Sequence, residues 1–98
     1  MPRVVLSQRA QGDIDRLHQF LRAKDIRAAQ RAVQAIRAAF APLVNVPMMG
    51  RPVEGHAGLR ELVIDFGASG YLAAYHYLPP PDQVVILAIK HQREDDYK

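Results

Sequence analysis

Three short apolar runs in the second half of the chain constrain its fold most strongly. They cover residues 59–64, 71–78 and 84–89, and each has the length and the β-branched or aromatic content of a strand. The intervening segments, residues 65–70 and 79–82, are short and rich in turn-forming glycine, proline, serine and aspartate. Short turns join antiparallel neighbours, so this pattern predicts two consecutive hairpins in one sheet.

The first half of the chain has the apolar spacing of two helices that follow a short strand at residues 3–6. Ser7 and Asp25 are the predicted N-caps, because their side-chain oxygens can accept hydrogen bonds from the first turn of a helix. Pro42 ends or bends the second helix. The apolar positions recur at steps of three and four, which places them on one face of each helix, and they are Ala10, Ile14, Leu17, Leu21, Ile26, Ala29, Val33, Ile36 and Phe40.

The resulting element order is β-α-α-β-β-β, which predicts an α+β fold in two layers. A helical hairpin packs on a small antiparallel sheet, and residues 1–98 form a single domain. The predicted core combines Ile14, Leu17, Leu21, Ile26, Val33, Ile36 and Phe40 with strand residues such as Leu62, Leu72, Val85 and Leu87.

Composition narrows the classes of function. Thirteen Lys and Arg against ten Asp and Glu give a net charge of +3, which suits a polyanion or an acidic protein partner as well as ordinary solubility. The absence of cysteine excludes disulfides and thiol chemistry. No apolar run approaches the roughly 18–20 residues of a membrane span, and we expect a cytoplasmic protein. No glycine-rich phosphate-binding loop is present.

Tyrosines alternate along the second hairpin strand. Tyr71, Tyr75 and Tyr77 fall on one face of that strand, whereas Leu72 and His76 fall on the other. The tyrosine face can serve cross-strand packing or can bind a partner, since tyrosine is favoured at interfaces.

Three motifs occur in order along the chain. The first is Gly50-Arg51-Pro52-Val53, the second is the strand-like Gly58-Leu59-Arg60-Glu61-Leu62-Val63, and the third ends the last strand as Ile86-Leu87-Ala88-Ile89-Lys90-His91-Gln92-Arg93. Together they resemble the signature of the RelE/ParE superfamily, the toxin halves of bacterial toxin–antitoxin pairs. The resemblance covers nearly the whole chain, from Val4 to Arg93.

The resemblance implies a toxin of a type II system that is neutralised in a hetero-oligomer with a cognate antitoxin. It favours the ParE-like branch, whose members inhibit DNA gyrase by binding and are associated with plasmid stabilisation. The alternatives are a RelE-like, ribosome-dependent mRNA endonuclease and a non-toxic member that only binds antitoxin. None of the three implies a cofactor or a metal.

Arg51, Arg60, Lys90 and Arg93 are the candidates for binding a phosphate or a partner, because the planar arginine fork can donate two hydrogen bonds at once. In RelE-type ribonucleases, which the chain resembles, such a cluster holds the scissile phosphate. A structural role is the alternative: Arg51 can bond loop carbonyls, and Arg60 can pair with an acid on a neighbouring strand.

His91 and Tyr97 are the candidate catalytic residues under the nuclease alternative. A histidine titrates near neutrality and can move a proton during RNA cleavage. The acids at residues 94–96 lie where a nuclease would benefit from positive charge, and the pattern therefore favours a binding toxin.

Overall fold

The computed structural model of the chain describes residues 2–93. Two helices lie against one five-stranded sheet, and this arrangement confirms the predicted α+β fold. Among the described residues, no helix is long and apolar enough to cross a membrane. The elements in chain order are β1 (Arg3–Leu6), α1 (Gln8–Arg22), α2 (Ile26–Phe40), a 3₁₀ helix (Ala41–Val44), β2 (Arg51–Pro52), β3 (Leu59–Phe66), β4 (Ser69–Leu78) and β5 (Gln83–His91).

The sheet is mixed, with strand order β1-β5-β4-β3-β2. The three predicted hairpin strands pair antiparallel, as expected, and the two-residue β2 extends the antiparallel part beside β3. β1 pairs in parallel with β5, with Val5 opposite Val85. The sequence pattern assigned β1 no partner, because this pairing joins segments about 80 residues apart and leaves no local signal.

Both predicted N-caps are present. The hydroxyl of Ser7 accepts a hydrogen bond from the backbone N–H of Ala10 at 3.0 Å and donates one to the carbonyl of Leu87 at 2.9 Å. Asp25 accepts from the backbone N–H groups of Arg27 and Ala28 at 2.9 and 3.3 Å. Ser7 therefore starts α1 and also ties that start to β5.

The core lies between the helices and the tyrosine face of β4. Tyr75 and Ile36 are fully buried there. The predicted core position Ile26 is wrong, since its residue is 52% exposed at the start of α2. The buried residues of this cluster are Ala10, Ile14, Leu17, Ala32, Ile36, Phe40, Leu43, Leu62, Ile64, Tyr71, Ala73, Tyr75, Val84, Ile86 and Ile89.

The strand faces of the predicted core also need correction. Leu72 and Val85 point away from the helices, because Leu72 pairs with exposed Val63 and Val85 pairs with half-buried His76. We call this side the outer face of the sheet. Residues 84–89 are apolar at every position, so the period of two could not choose between the faces of β5.

A β-bulge interrupts β5. Tyr75 pairs with Ile86 and Ala74 pairs with Ala88, so Leu87 is the extra residue. The bulge allows both Ile86 and Ile89 to face the helices. Alternation without this shift would have placed the two on opposite faces.

Candidate functional site

The hydroxyl of buried Tyr75 holds the loop that carries the first motif. It accepts a hydrogen bond from the backbone N–H of Gly50 at 2.8 Å and donates one to the carbonyl of Pro47 at 2.9 Å. Burial raises the pKa of Tyr75 above its ordinary value, while the Gly50 N–H and the nearby Arg60 charge act in the opposite direction. The phenol is therefore neutral near pH 7 and can serve as donor and acceptor at once.

Gly50 occupies a position with no room for a side chain. A Cβ atom there would lie 2.6 Å from Cε1 of Tyr75 and 2.9 Å from the backbone carbonyl oxygen of Glu61. The glycine of the Gly-Arg-Pro motif is thus explained by close approach of the loop to β3 and β4.

Arg60 also holds this loop through hydrogen bonds. Its Nη1 atom donates to the carbonyl oxygens of Gly50 at 2.6 Å and Met48 at 3.1 Å. Arg60 is opposite Tyr75 in the β3–β4 register and so lies on the helix-facing side of the sheet. Its guanidinium satisfies loop carbonyls, which is the structural role that the sequence had suggested for Arg51.

Arg51 pairs across strands with Glu61. Its Nη2 and Nε atoms lie 2.7 and 3.2 Å from the same Oε1 atom of the carboxylate. The Arg51 side chain is 65% exposed and that of Glu61 is 14% exposed, so the pair stands at the edge of the outer face. Arg51 therefore has the acid-pairing role that the sequence had suggested for Arg60. The two structural roles are exchanged between the two arginines.

Lys90 lies on the outer face of the sheet. It is two residues along β5 from Ala88, which lies across β4 from Glu61. It is largely buried against a shallow groove of about 440 Å³ whose floor contains Ala74 and Ala88. Arg9 and His56 also line this groove. The short alanine side chains leave room above the strands, and the groove combines the positive charges of Arg9 and Lys90 with the carboxylate of Glu61.

His91 is on the other side of the sheet from Lys90. Successive strand residues point to opposite faces, and the His91 ring meets the buried Tyr71 ring edge-on at 5.5 Å between centroids. Its Nε2 atom lies 3.0 Å from the Ser69 hydroxyl oxygen, and its Nδ1 atom accepts from the backbone N–H of Arg93 at 3.1 Å. The two contacts hold the ring through both of its nitrogens.

The predicted site residues therefore fall into separate places. Arg51 and Lys90 share the outer face. Arg60 bonds carbonyl groups of the loop, and His91 faces the helices. Arg93 is exposed just after β5. Tyr97 and the acids at residues 94–96 lie outside the described residues. Within residues 2–93, no group of three or more His, Asp or Glu side chains is arranged to hold a metal ion.

Sequence reasoning missed the residues that link the motifs. The sequence pattern presents Tyr75 only as part of an alternating stripe and Gly50 only as part of a family motif. Arg9 and His56 belong to no motif, although they line the outer groove. The tyrosine at the centre of β4 was the available signal, because a buried phenol needs hydrogen-bond partners.

The helical hairpin, the five-stranded sheet and the motif-bearing loop together define a toxin of the RelE/ParE superfamily. The chain belongs to the ParE toxin family, since the model described as ParE toxin of type II toxin-antitoxin system, parDE, matches residues 4–96. It is accordingly the toxin of a type II toxin–antitoxin system.

Two curated relatives come from Caulobacter vibrioides. Toxin RelE3 is 35% identical over 96% of this chain and 98% of its own length. Toxin RelE1 is 39% identical over 76% of this chain and 78% of its own. The family model carries the ParE name and these relatives carry the RelE name, so the names alone leave the mode of action open.

Solved structures agree with the fold. The chromosomal ParDE system from P. aeruginosa superposes with a TM-score of 0.78 at 24% identity, covering 93% of this chain and 96% of that chain. The intact E. coli RelBE toxin–antitoxin complex superposes with a TM-score of 0.65 at 11% identity, covering 96% and 100%. At these identities the likeness establishes the architecture.

Proposed function

We propose that this toxin inhibits DNA gyrase by binding it in the cytoplasm, and that a cognate antitoxin neutralises it. The observation that carries the proposal is the separation of the candidate catalytic residue His91 from the candidate phosphate-binding residues Lys90 and Arg51. His91 faces the helices, whereas Lys90 and Arg51 lie on the outer face. A general acid or base must come within roughly 3 Å of the proton that it transfers, directly or through one water. The sheet itself stands between His91 and the outer cations.

The hydrogen bonds of His91 support the same proposal. One ring nitrogen accepts from the Arg93 backbone, and the other lies within hydrogen-bonding distance of the Ser69 hydroxyl. A proton-transfer role would require the ring to give up one of these contacts. The geometry is better suited to holding the end of β5 beside the β3–β4 turn.

The outer face has the properties of a protein-binding surface. Val63 is 47% exposed and Leu78 is 39% exposed, and the Arg51–Glu61 pair stands at its edge. Apolar side chains with a polar rim that includes arginine are common at protein interfaces. We place the gyrase contact on this face.

An RNA-cleaving toxin is the second candidate, and the outer groove is the observation that favours it. Arg9 and Lys90 line that groove beside Glu61, and their positive charges would attract a phosphate backbone. The relatives named RelE support the same alternative. A member that binds antitoxin without toxicity is the third candidate.

Controlled expression without antitoxin separates these candidates. Gyrase inhibition predicts filamentous cells with an induced DNA-damage response and intact message. RNA cleavage predicts rapid arrest of translation with cut message and no early damage response. Normal growth at high expression of the folded protein would leave only the non-toxic candidate, and would contradict the proposal.

A further inference from the structure

The solvent-facing side of α2 carries a cluster of positive charges. Arg27, Arg31 and Arg37 are exposed on this helix, and within residues 2–93 none of the three forms a salt bridge. The helix α1 differs, because the Nε atom of Arg9 lies 3.9 Å from the Asp13 carboxylate. No acidic residue occurs within α2 itself. The three arginines are therefore open to an external ligand, and their charge suits an anionic one.

Five exposed polar side chains share this side of α2. Because an α-helix has about 3.6 residues in each turn, the five lie within an arc of about 120°. Gln30 and Gln34 are at the centre of the arc. Arg27 and Arg31 lie along one side of the two glutamines, and Arg37 lies along the other. We call these five residues the α2 face.

The α2 face has the dimensions of a helix that docks in the major groove of DNA. Arg27 and Arg37 are separated by about 15 Å along the axis, and a major groove about 12 Å wide admits an α-helix. A central glutamine can pair with the edge of an adenine, while arginines on both sides can contact the phosphates of both strands. Ala38 and Ala41 complete the exposed surface, and their short side chains permit close approach.

We propose that the α2 face binds double-stranded DNA in its major groove. This activity goes beyond the proposed inhibition of gyrase and does not depend on it. An RNA duplex is a poor occupant, because the major groove of A-form RNA is too deep and narrow for a helix. An acidic protein is also a poor occupant, because the α2 face has no large apolar side chain to form the centre of an interface.

The test titrates the purified full-length toxin into a fluorescently labelled DNA duplex of about 20 base pairs, with anisotropy as the readout. Three phosphate contacts predict that the logarithm of the association constant falls with the logarithm of the salt concentration at a slope of about −2.7. Arg27→Gln and Arg31→Gln each remove one contact. Each variant should make the slope shallower by about 0.9 and weaken binding by about five- to tenfold at about 0.1 M salt.

Arg3→Gln is the matched control, because it removes the same charge from an exposed position elsewhere. Arg3 pairs with Gln83 beside the β4–β5 turn, whereas α1 ends beside the β3–β4 turn at the other end of the sheet. Its affinity for the duplex should change by less than about twofold. Circular dichroism verifies the fold of each variant, and the similar helix propensities of arginine and glutamine predict unchanged melting temperatures for Arg27→Gln and Arg31→Gln.

Gln34→Glu tests docking of the face as opposed to general attraction by the charge of the protein. It places a carboxylate at the centre of the arc, and we expect a loss of affinity of about tenfold or more. A competition experiment adds an RNA duplex of the same sequence or poly-glutamate. Each competitor should displace the DNA at least about tenfold less effectively than unlabelled DNA does.

Several results would overturn the proposal. They are no binding to the DNA duplex at about 50 mM salt, equal losses in Arg31→Gln and Arg3→Gln, or wild-type affinity in Gln34→Glu. Equal competition by the RNA duplex would assign the α2 face to RNA, and equal competition by poly-glutamate would assign it to an acidic protein. Gyrase, ribosomes and antitoxin are absent from these measurements, so failure of DNA binding and failure of the proposed function are distinguishable.

Discussion

The hydroxyl of Tyr75 accepts a hydrogen bond from the backbone N–H of Gly50 at 2.8 Å, and this contact joins the first motif to the centre of the sheet. Arg60, in the second motif, donates a hydrogen bond to the Gly50 carbonyl in the first. Arg51, in the first motif, pairs with Glu61 in the second. The two motifs therefore contact each other. The motif residues that mark the family in this chain hold the loop against the sheet.

Gly50→Ala should destabilise the fold, because the added methyl group would overlap the Tyr75 ring and the Glu61 backbone. We expect a loss of about 1–3 kcal/mol in the free energy of unfolding, measured by urea denaturation. Gly12→Ala is the matched control: no atom lies within 4 Å of its added Cβ, and the residue is in α1. That variant should gain about 0.4–1 kcal/mol. Equal stability of the two variants would contradict the close approach at Gly50.

Alkaline pH should weaken the fold through its tyrosines. Burial raises the pKa of Tyr71 and Tyr75 above 10.0, and the hydrogen bond to Asp82 is the main cause that raises the pKa of Tyr77. The unfolded state ionises first, so the stabilisation is complete below about pH 10 and is lost as pH rises through the folded-state pKa values.

Urea denaturation between about pH 8 and pH 11 measures this effect. Tyr75→Phe removes one of the three phenols and should make the decline in stability shallower. A flat profile for the wild-type protein, or an unchanged slope in Tyr75→Phe, would be inconsistent with the raised pKa values of these tyrosines.

Core packing can be tested with two isoleucines in the same helix. Ile36 is completely buried, and Ile36→Ala should cost about 2–5 kcal/mol in the free energy of unfolding. Ile26 is 52% exposed, and Ile26→Ala should change stability by no more than about 0.5 kcal/mol. Thermal or urea denaturation gives both values. Similar losses in the two variants would show that the assigned face of α2 is wrong.

Local patterns predicted most of the fold. The caps at Ser7 and Asp25 and the helical period gave α1 and α2, and the turn segments gave the two hairpins. The parallel pairing of β1 with β5 was beyond such reasoning because it is non-local. The face of β5 was also beyond it, because residues on both faces are apolar and the bulge at Leu87 changes the alternation.

The candidate site was harder to predict than the fold. The sequence identified the arginines, but the partner of each depends on which face of β3 it occupies. Arg60 and Glu61 are adjacent in sequence and lie on opposite faces, so Arg60 meets loop carbonyls while Glu61 meets Arg51. The same alternation separates Lys90 from His91. The apolar groove between α1 and the β3–β4 turn has no sequence motif, because it depends on how these two elements pack.

We propose that the toxin acts by binding gyrase and that it does not cleave RNA. The most direct measurement titrates purified toxin into DNA gyrase, with supercoiling as the readout, and in parallel into ribosomes carrying a message. We predict inhibition of supercoiling and intact message, with His91→Ala and Tyr97→Phe retaining most of the inhibition. The opposite result is ribosome-dependent cutting of the message, with a loss of about 10²–10⁴-fold in either variant, and it would contradict the account.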